Sequence, residues 1–164
     1  MKRYELKLHA ERLPNVAGPF RVSKPYAEVE IIEGPVGKLG RTESEKNLSP
    51  HWVKAFYLDF DSSMRVVIQV KIFDERGGDR DPIMIGDAVT FEATTVFTSP
   101  GRMQEEKIGR RGRLYIHIEE SLKGSSKGYV QLQLRGLDIK NVEPGPFGLG
   151  RSDPFFEIAK KDSE

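Results

Sequence analysis

Residues 56–73, FYLDFDSSMRVVIQVKIF, carry the pattern that decides the fold. Apolar side chains stand at every second position at Phe56, Leu58 and Phe60, and the same alternation resumes after the polar run and ends at Ile72. This period of two is typical of a strand with one buried face. The Asp and Ser residues between the two segments favour a turn. The stretch therefore predicts two half-buried strands joined by a short connection.

The same period of two extends outward from this stretch in both directions. It occurs at 4–10 and 27–31 before the stretch and at 114–118 after it, and no segment sustains a helical apolar stripe. Turn-forming residues separate the alternating segments. We therefore predict an all-β fold, an antiparallel eight-stranded β-sandwich, with strands near residues 3–11, 26–33, 40–46, 53–60, 65–73, 84–97, 103–108 and 113–119.

Composition narrows the class of protein. The 164 residues include 26 Lys or Arg and 25 Asp or Glu, so the net charge of +1 gives no global case for nucleic-acid binding. The absence of cysteine excludes disulfides and thiolate metal sites. No apolar run approaches the roughly 18 residues of a spanning helix, and none follows the basic start as in a secretory signal. We expect a cytoplasmic protein.

The chain is predicted to contain one complete unit and part of another. Residues 1–120 form the first sandwich, and the small polar residues of 121–128, SLKGSSKG, predict a linker. Residues 129–164 begin with a new alternating strand and repeat motifs of the first unit, because Asn-Val and Gly-Pro-Phe at 15–20 return in the same order at 141–147. We interpret this region as an incomplete second β unit.

Several motifs in combination resemble the C2 family of calcium- and lipid-binding sandwiches. They are SDPF at 152–155 entering a strand, LSPHW at 48–52 leading into one, and the acidic loop that follows Phe73 and Asp74. With GRTE at 40–43 and the tandem arrangement, the chain looks like the amino-terminal region of a copine. The resemblance implies a C2-like Greek key at residues 1–120 and the start of a second C2 domain at 129–164.

The resemblance also implies where calcium ligands would stand. The matching positions in the first unit are Asn15, Lys24, Asp74, Arg76 and Asp81, with Asp79 as an alternate. Their formal charges cancel, whereas a full C2 ligand set carries about five negative charges. We therefore expect a degenerate site with weak or no calcium binding, and an alternative interpretation is a solvated acidic loop paired with neighbouring Lys and Arg. In the second unit, Asp153 matches a ligand whose partner loop lies beyond Glu164.

Basic and apolar side chains suggest a membrane contact instead. Lys107, Arg110, Arg111 and Arg113 crowd one turn, and Phe20 stands in the first loop as a residue able to insert into a lipid interface. A further basic set, which in this fold would line a concave face, comprises Lys38, Arg41, Lys46 and Lys54. The alternative for the turn is a solvated segment balanced by nearby Glu residues.

These observations predict a peripheral membrane-targeting module that binds anionic phospholipids with weak or no calcium dependence. The alternative is a calcium-independent scaffold that uses the same fold to bind protein partners. We expect no enzymatic activity, because no nucleophile or phosphate-loop motif is present. The three histidines, His9, His51 and His117, stand on separate segments without the paired spacing of a metal site.

Overall fold

The computed structural model describes residues 2–61, 63–78 and 80–121. The predicted linker beyond Ser121 and the predicted second unit, with Asp153, lie outside the described residues. Asp79 also lies outside them. Within the described part of the chain, no helix is long and apolar enough to span a bilayer.

Nine strands and two short helical segments form in this part of the chain. They are β1 (Lys2–Glu11), β2 (Pro25–Glu33), β3 (Gly37–Arg41), β4 (Phe56–Phe60), β5 (Val67–Asp74), β6 (Ile83–Met84), β7 (Val89–Glu92), α1 (Ala93–Thr98), a 3-10 turn (Pro100–Arg102), β8 (Met103–Ile108) and β9 (Gly112–Glu120).

The strands form two antiparallel sheets. One sheet has the order β4-β1-β9-β8, and the other has the order β3-β2-β5-β6, with β7 also paired to β5. The all-β antiparallel sandwich predicted from the alternating pattern is confirmed, with nine strands in the described part of the chain where eight were predicted. Residues at every second position point inward, so that Leu6 and Ile116 of one sheet share a single core with Val29 and Ile68 of the other.

The segment predicted as one strand at 84–97 is different in the structure. Gly86 has a φ of +72°, and a side chain there would come within 2.8 Å of Ile108, so the chain turns between β6 and β7. After β7 the chain forms α1, which buries Ala93 and Val96 on one face. Their spacing of three residues suits a helix, and the prediction of a continuous strand was wrong because it read this segment at a period of two.

Candidate functional site

Four connections of the chain meet at one end of the sandwich, which we call the loop end. The strand register places them together, because Glu11 pairs with Arg113 in one sheet and Pro25 pairs with Asp74 in the other. The β3 strand also ends at this side, beside the start of β2. The loop end comprises loops 12–24, 42–55 and 75–82 and turn 109–111.

Turn 109–111 packs directly against the start of loop 12–24. A Cβ atom on Gly112 would lie 3.2 Å from the Arg12 carbonyl oxygen, and one on Gly109 would lie 2.9 Å from Cγ of Pro14. Gly109 also has a φ of +63°, which disfavours other residues. This close approach holds the basic turn beside the loop that carries Phe20.

The side chain of Asn15 organises loop 12–24. Its amide nitrogen donates to the carbonyl oxygens of Gly18 at 3.1 Å and Arg21 at 2.7 Å. Its Oδ1 accepts from the backbone N–H of Ala17 at 3.3 Å and from both the N–H and the hydroxyl of the buried Ser23 at 3.0 Å. The position that the family resemblance assigns to a calcium ligand is therefore used to fix the loop. Sequence reasoning missed this role, although asparagine often bonds to nearby backbone in loops.

Phe20 lies at the tip of this fixed loop. Its side chain is 97% exposed, and Val22 on the same loop is 44% exposed. A phenylalanine with almost no protein contact leaves its apolar area in water, whereas most aromatic residues bury theirs. The loop thus presents one large apolar side chain outward on a hydrogen-bonded base.

Two of the acidic residues predicted as a degenerate calcium site, Asp74 and Asp81, differ in burial. Asp74 is 3% exposed, and its Oδ1 accepts the backbone N–H of Lys24 at 2.6 Å. Asp81 is exposed. Among residues 2–61, 63–78 and 80–121, no group of three or more His, Cys, Asp or Glu side chains could hold a metal ion.

Glu75, next to Asp74, is surrounded by donors from its own domain. Its carboxylate accepts the Ser44 hydroxyl at 2.5 Å and contacts Arg41 Nη2 at 3.2 Å and Lys24 Nζ at 3.6 Å. The Ser44 hydrogen bond, followed by the Arg41 and Lys24 contacts, lowers the pKa of Glu75. Protein cations thus hold this carboxylate. With Asn15 hydrogen-bonded within its own loop and Asp74 buried, the described residues at this end of the sandwich do not fit a calcium centre.

The four basic side chains predicted to crowd one turn differ in whether they form an ion pair. Lys107, Arg110 and Arg111 are exposed and make no ion pair with any described residue. Arg113 instead forms an ion pair with Glu105 across the β8–β9 pair. The four residues predicted as one basic cluster therefore differ, and Arg113 is the member whose charge is already compensated.

A cleft of about 430 Å³ opens at the loop end. Its walls come from the first loop, from Lys46 of the second loop and from the end of β5 with the following loop. Sequence reasoning assigned Lys46 to the concave sheet face, and the structure instead places it on this cleft. The lining residues are Val16, Ala17, Phe20, Arg21, Val22, Lys24, Lys46, Asp74, Glu75 and Arg76.

A second cleft, of about 270 Å³, lies along β2, β3 and β5, and we call it the sheet groove. Its cations are mostly engaged by their own protein. Lys71 Nζ lies 2.7 Å from Glu30 Oε1, and Arg41 is paired with Glu75 and stacks over the Tyr26 ring. The lining residues are Glu28, Val29, Glu30, Lys38, Gly40, Arg41 and Lys71.

Three rings stack on the outer face of the four-stranded sheet. The His9 ring lies between those of Tyr115, at a centroid distance of 4.4 Å, and His51, at 4.8 Å. Burial, together with the nearby His51, lowers the pKa of His9. Sequence reasoning placed these histidines apart, because the loop that brings His51 to β1 has no signal in the local pattern.

Comparison with known proteins gives the family. The C2 domain model matches residues 6–107, more than half of the chain. No curated protein matches. Similar solved structures include a C2 domain (17% identity, 74% of this chain and 100% of that one, TM-score 0.54) and a C2 domain of a plant extended synaptotagmin 1 (16%, 71% and 92%, TM-score 0.57).

A calcium-bound structure of two C2 domains of extended synaptotagmin 2 is also similar, at 16% identity and a TM-score of 0.51. The match covers 73% of this chain and 45% of that one. At these identities the similarity concerns the fold, and it agrees with the family match over residues 6–107. The chain belongs to the C2 domain family.

Proposed function

We propose that this C2 domain is a peripheral membrane-targeting module that binds anionic phospholipids with weak or no calcium dependence. C2 domains commonly target membranes or lipids. The observation that carries the proposal is the position of the exposed Phe20 beside unpaired cations at the loop end. An apolar side chain that enters the interface and cations that attract anionic headgroups are the two components of peripheral membrane binding.

The charge of the loop end supports anionic lipid. The four connections of the loop end contain nine Lys or Arg and five Asp or Glu, although the whole chain has a net charge of only +1. Each cation near an anionic leaflet contributes about 1 kcal/mol. A few unpaired cations together with one inserted aromatic ring would give reversible, salt-sensitive binding.

A sedimentation assay tests this proposal against the alternative of a protein-binding scaffold. Phosphatidylcholine vesicles with and without phosphatidylserine should be compared at two salt concentrations, with and without Ca²⁺. We expect binding that requires phosphatidylserine, weakens with salt and ignores Ca²⁺. An unbound protein under all conditions would favour the scaffold.

A pair of variants tests the role of Phe20. Phe20→Ser should weaken vesicle binding, because it removes the apolar side chain at the tip of the loop end. Val36→Ser is the matched control, since Val36 is 72% exposed in the turn between β2 and β3 at the other end of the sandwich. Equal binding by both variants would contradict insertion at Phe20.

Calcium independence has a separate test. Two fixed cations, Lys24 and Arg76, stand at positions that the family resemblance assigns to ligands, so Ca²⁺ should not raise the melting temperature of the parent protein. The variant Lys24→Asp/Arg76→Asp replaces both with carboxylates and should gain measurable calcium affinity. A rise of several degrees in the parent protein would contradict the proposal.

We further propose a cytoplasmic, non-enzymatic domain with a copine-like tandem arrangement. The support for the tandem arrangement is the sequence repeat between 15–20 and 141–147. Limited proteolysis of the full chain tests it, because cleavage confined to 121–128 would leave a stable fragment ending near residue 120. Cleavage spread through the first sandwich would contradict this domain division.

A further inference from the structure

We propose that the loop-end cleft is a phosphate-binding site formed by side-chain cations of this chain, without a metal ion. The inference rests on the proposed function, because the phosphate expected there is that of a lipid headgroup. The cleft has a volume of about 430 Å³, within the range of sites that hold small ligands.

The cations of the cleft are available to a ligand. Arg21, Lys46 and Arg76 all line it, and none of them forms an ion pair with a described residue. They come from three different loops, so their charges surround the opening instead of lying along one strand. Lys24 adds a fourth cation, which also contacts Glu75.

The two carboxylates of the cleft are already occupied. Asp74 is almost fully buried and accepts the backbone N–H of Lys24. Glu75 accepts the hydroxyl of Ser44 and pairs with Arg41, and Arg41 lies outside the cleft lining. The cleft therefore presents a net positive surface, and a phosphate entering it meets charge-assisted donors.

The position of the cleft suits a headgroup. Phe20 belongs to its lining and is also the most exposed apolar side chain of the loop end. If this ring enters the interface, the cleft lies at the level of the headgroup phosphates, because interfacial side chains insert to about 5–10 Å. The fixed loop formed by Asn15 keeps Arg21 and Phe20 together at this depth.

The experiment compares three proteins on vesicles of phosphatidylcholine with phosphatidylserine. The cleft variant is Arg21→Gln/Arg76→Gln. The matched control is Lys38→Gln/Arg102→Gln, which removes the same formal charge away from the cleft. We expect the cleft variant to bind about fivefold more weakly for each charge removed, and the control to bind like the parent protein. An equal loss in both variants would overturn the cleft as the site.

A soluble probe separates the two sources of phosphate. Amide chemical shifts of the full chain should be followed during titration with inorganic phosphate. Saturable shifts confined to loops 12–24 and 75–82, absent in the cleft variant, would support the site. Shifts without vesicle binding would keep the phosphate site but overturn the lipid source and the proposed function. Vesicle binding that remains in the cleft variant, without phosphate shifts, would overturn this inference and leave the proposed function in place.

Discussion

The loop-end cleft and the sheet groove contain similar numbers of cations but use them differently. In the sheet groove, Lys71 is paired with Glu30 and Arg41 with Glu75. In the loop-end cleft, Arg21 and Arg76 have no ion-pair partner among the described residues. Cations that are already compensated contribute little to the attraction of an anionic surface, so the number of basic residues is a poor guide to where this domain binds.

The difference follows from where each cation stands. On paired strands, long side chains reach diagonal neighbours as well as the residue directly opposite. Lys71 lies opposite Glu28 in the register and forms its ion pair with the diagonal neighbour Glu30. Loop residues have no obligatory cross-strand neighbour. The loops therefore leave cations free unless a specific contact, such as that of Lys24 with Glu75, engages them.

The largest effect is expected from loosening the loop end. Asn15→Ala removes all of the side-chain hydrogen bonds of Asn15 and leaves the backbone N–H of the buried Ser23 without its acceptor. We expect a loss of about 3 kcal/mol in the free energy of unfolding, measured by chemical denaturation. Asn47→Ala is the control and should cost less, because among the described residues the Asn47 side chain bonds only to the backbone of Ser49. Similar losses in both would show that Asn15 does not organise the loop.

The next largest effect is expected when unpaired cations are removed, and it can be compared with the removal of paired cations. Arg110→Gln/Arg111→Gln removes two exposed cations without ion-pair partners among the described residues, and at about 1 kcal/mol each it should weaken binding to phosphatidylserine vesicles more than tenfold. Lys71→Gln and Arg113→Gln each remove a cation paired with a carboxylate and should change binding by less than about twofold. An equal loss of vesicle binding on removal of the paired and the free cations would contradict the claim that only free cations attract the membrane.

The sequence predicted the sandwich well because its signal is local. The alternation at Phe56, Leu58 and Phe60 depends only on which side chains face the core, and it survives in β4 of the structure. The division of the segment 84–97 was not predicted in this way, because Ala93 and Val96 follow a helical spacing and the turn at Gly86 packs against Ile108 from β8. Contacts between distant segments carry no periodic signal.

The sequence predicted which residues belong to the candidate site, but not the ion pairs and hydrogen bonds that they form. Phe20 and the basic turn stand out in the sequence, but the ion pair that engages Arg113 is fixed by the β8–β9 register. In the sequence, Asn15 stands at a position that the family resemblance assigns to a calcium ligand. Its five hydrogen bonds within the loop are visible only in the structure. The position of Lys46 on the cleft likewise depends on how loop 42–55 folds back.

A smaller effect should come from freeing the paired cations. Glu75→Gln removes a carboxylate of the loop-end cleft that holds Lys24 and Arg41, so that the cleft becomes more positive and Arg41 of the sheet groove loses its ion-pair partner. We expect binding to phosphatidylserine vesicles to rise about twofold to fivefold. Glu106→Gln removes the same charge from an exposed position on β8 and is the control for the change in net charge. A rise of equal size in both would mean that net charge alone decides binding.

The smallest effect concerns the acid sensitivity of the fold. Because hydrogen bonding from Ser44 and the contacts with Arg41 and Lys24 lower the pKa of Glu75 below its ordinary value of 4.5, its ionised form favours the folded state. This contribution is present above pH 4.5 and is lost as the pH falls through the lower pKa of the folded protein. Denaturation curves recorded at decreasing pH should therefore show a smaller acid-induced loss of stability for Glu75→Gln than for the parent protein. If the free energy of unfolding falls equally with pH in both proteins, the contacts of Glu75 with Ser44, Arg41 and Lys24 do not stabilise the fold. Arg41 and Lys24 could then not be treated as compensated cations.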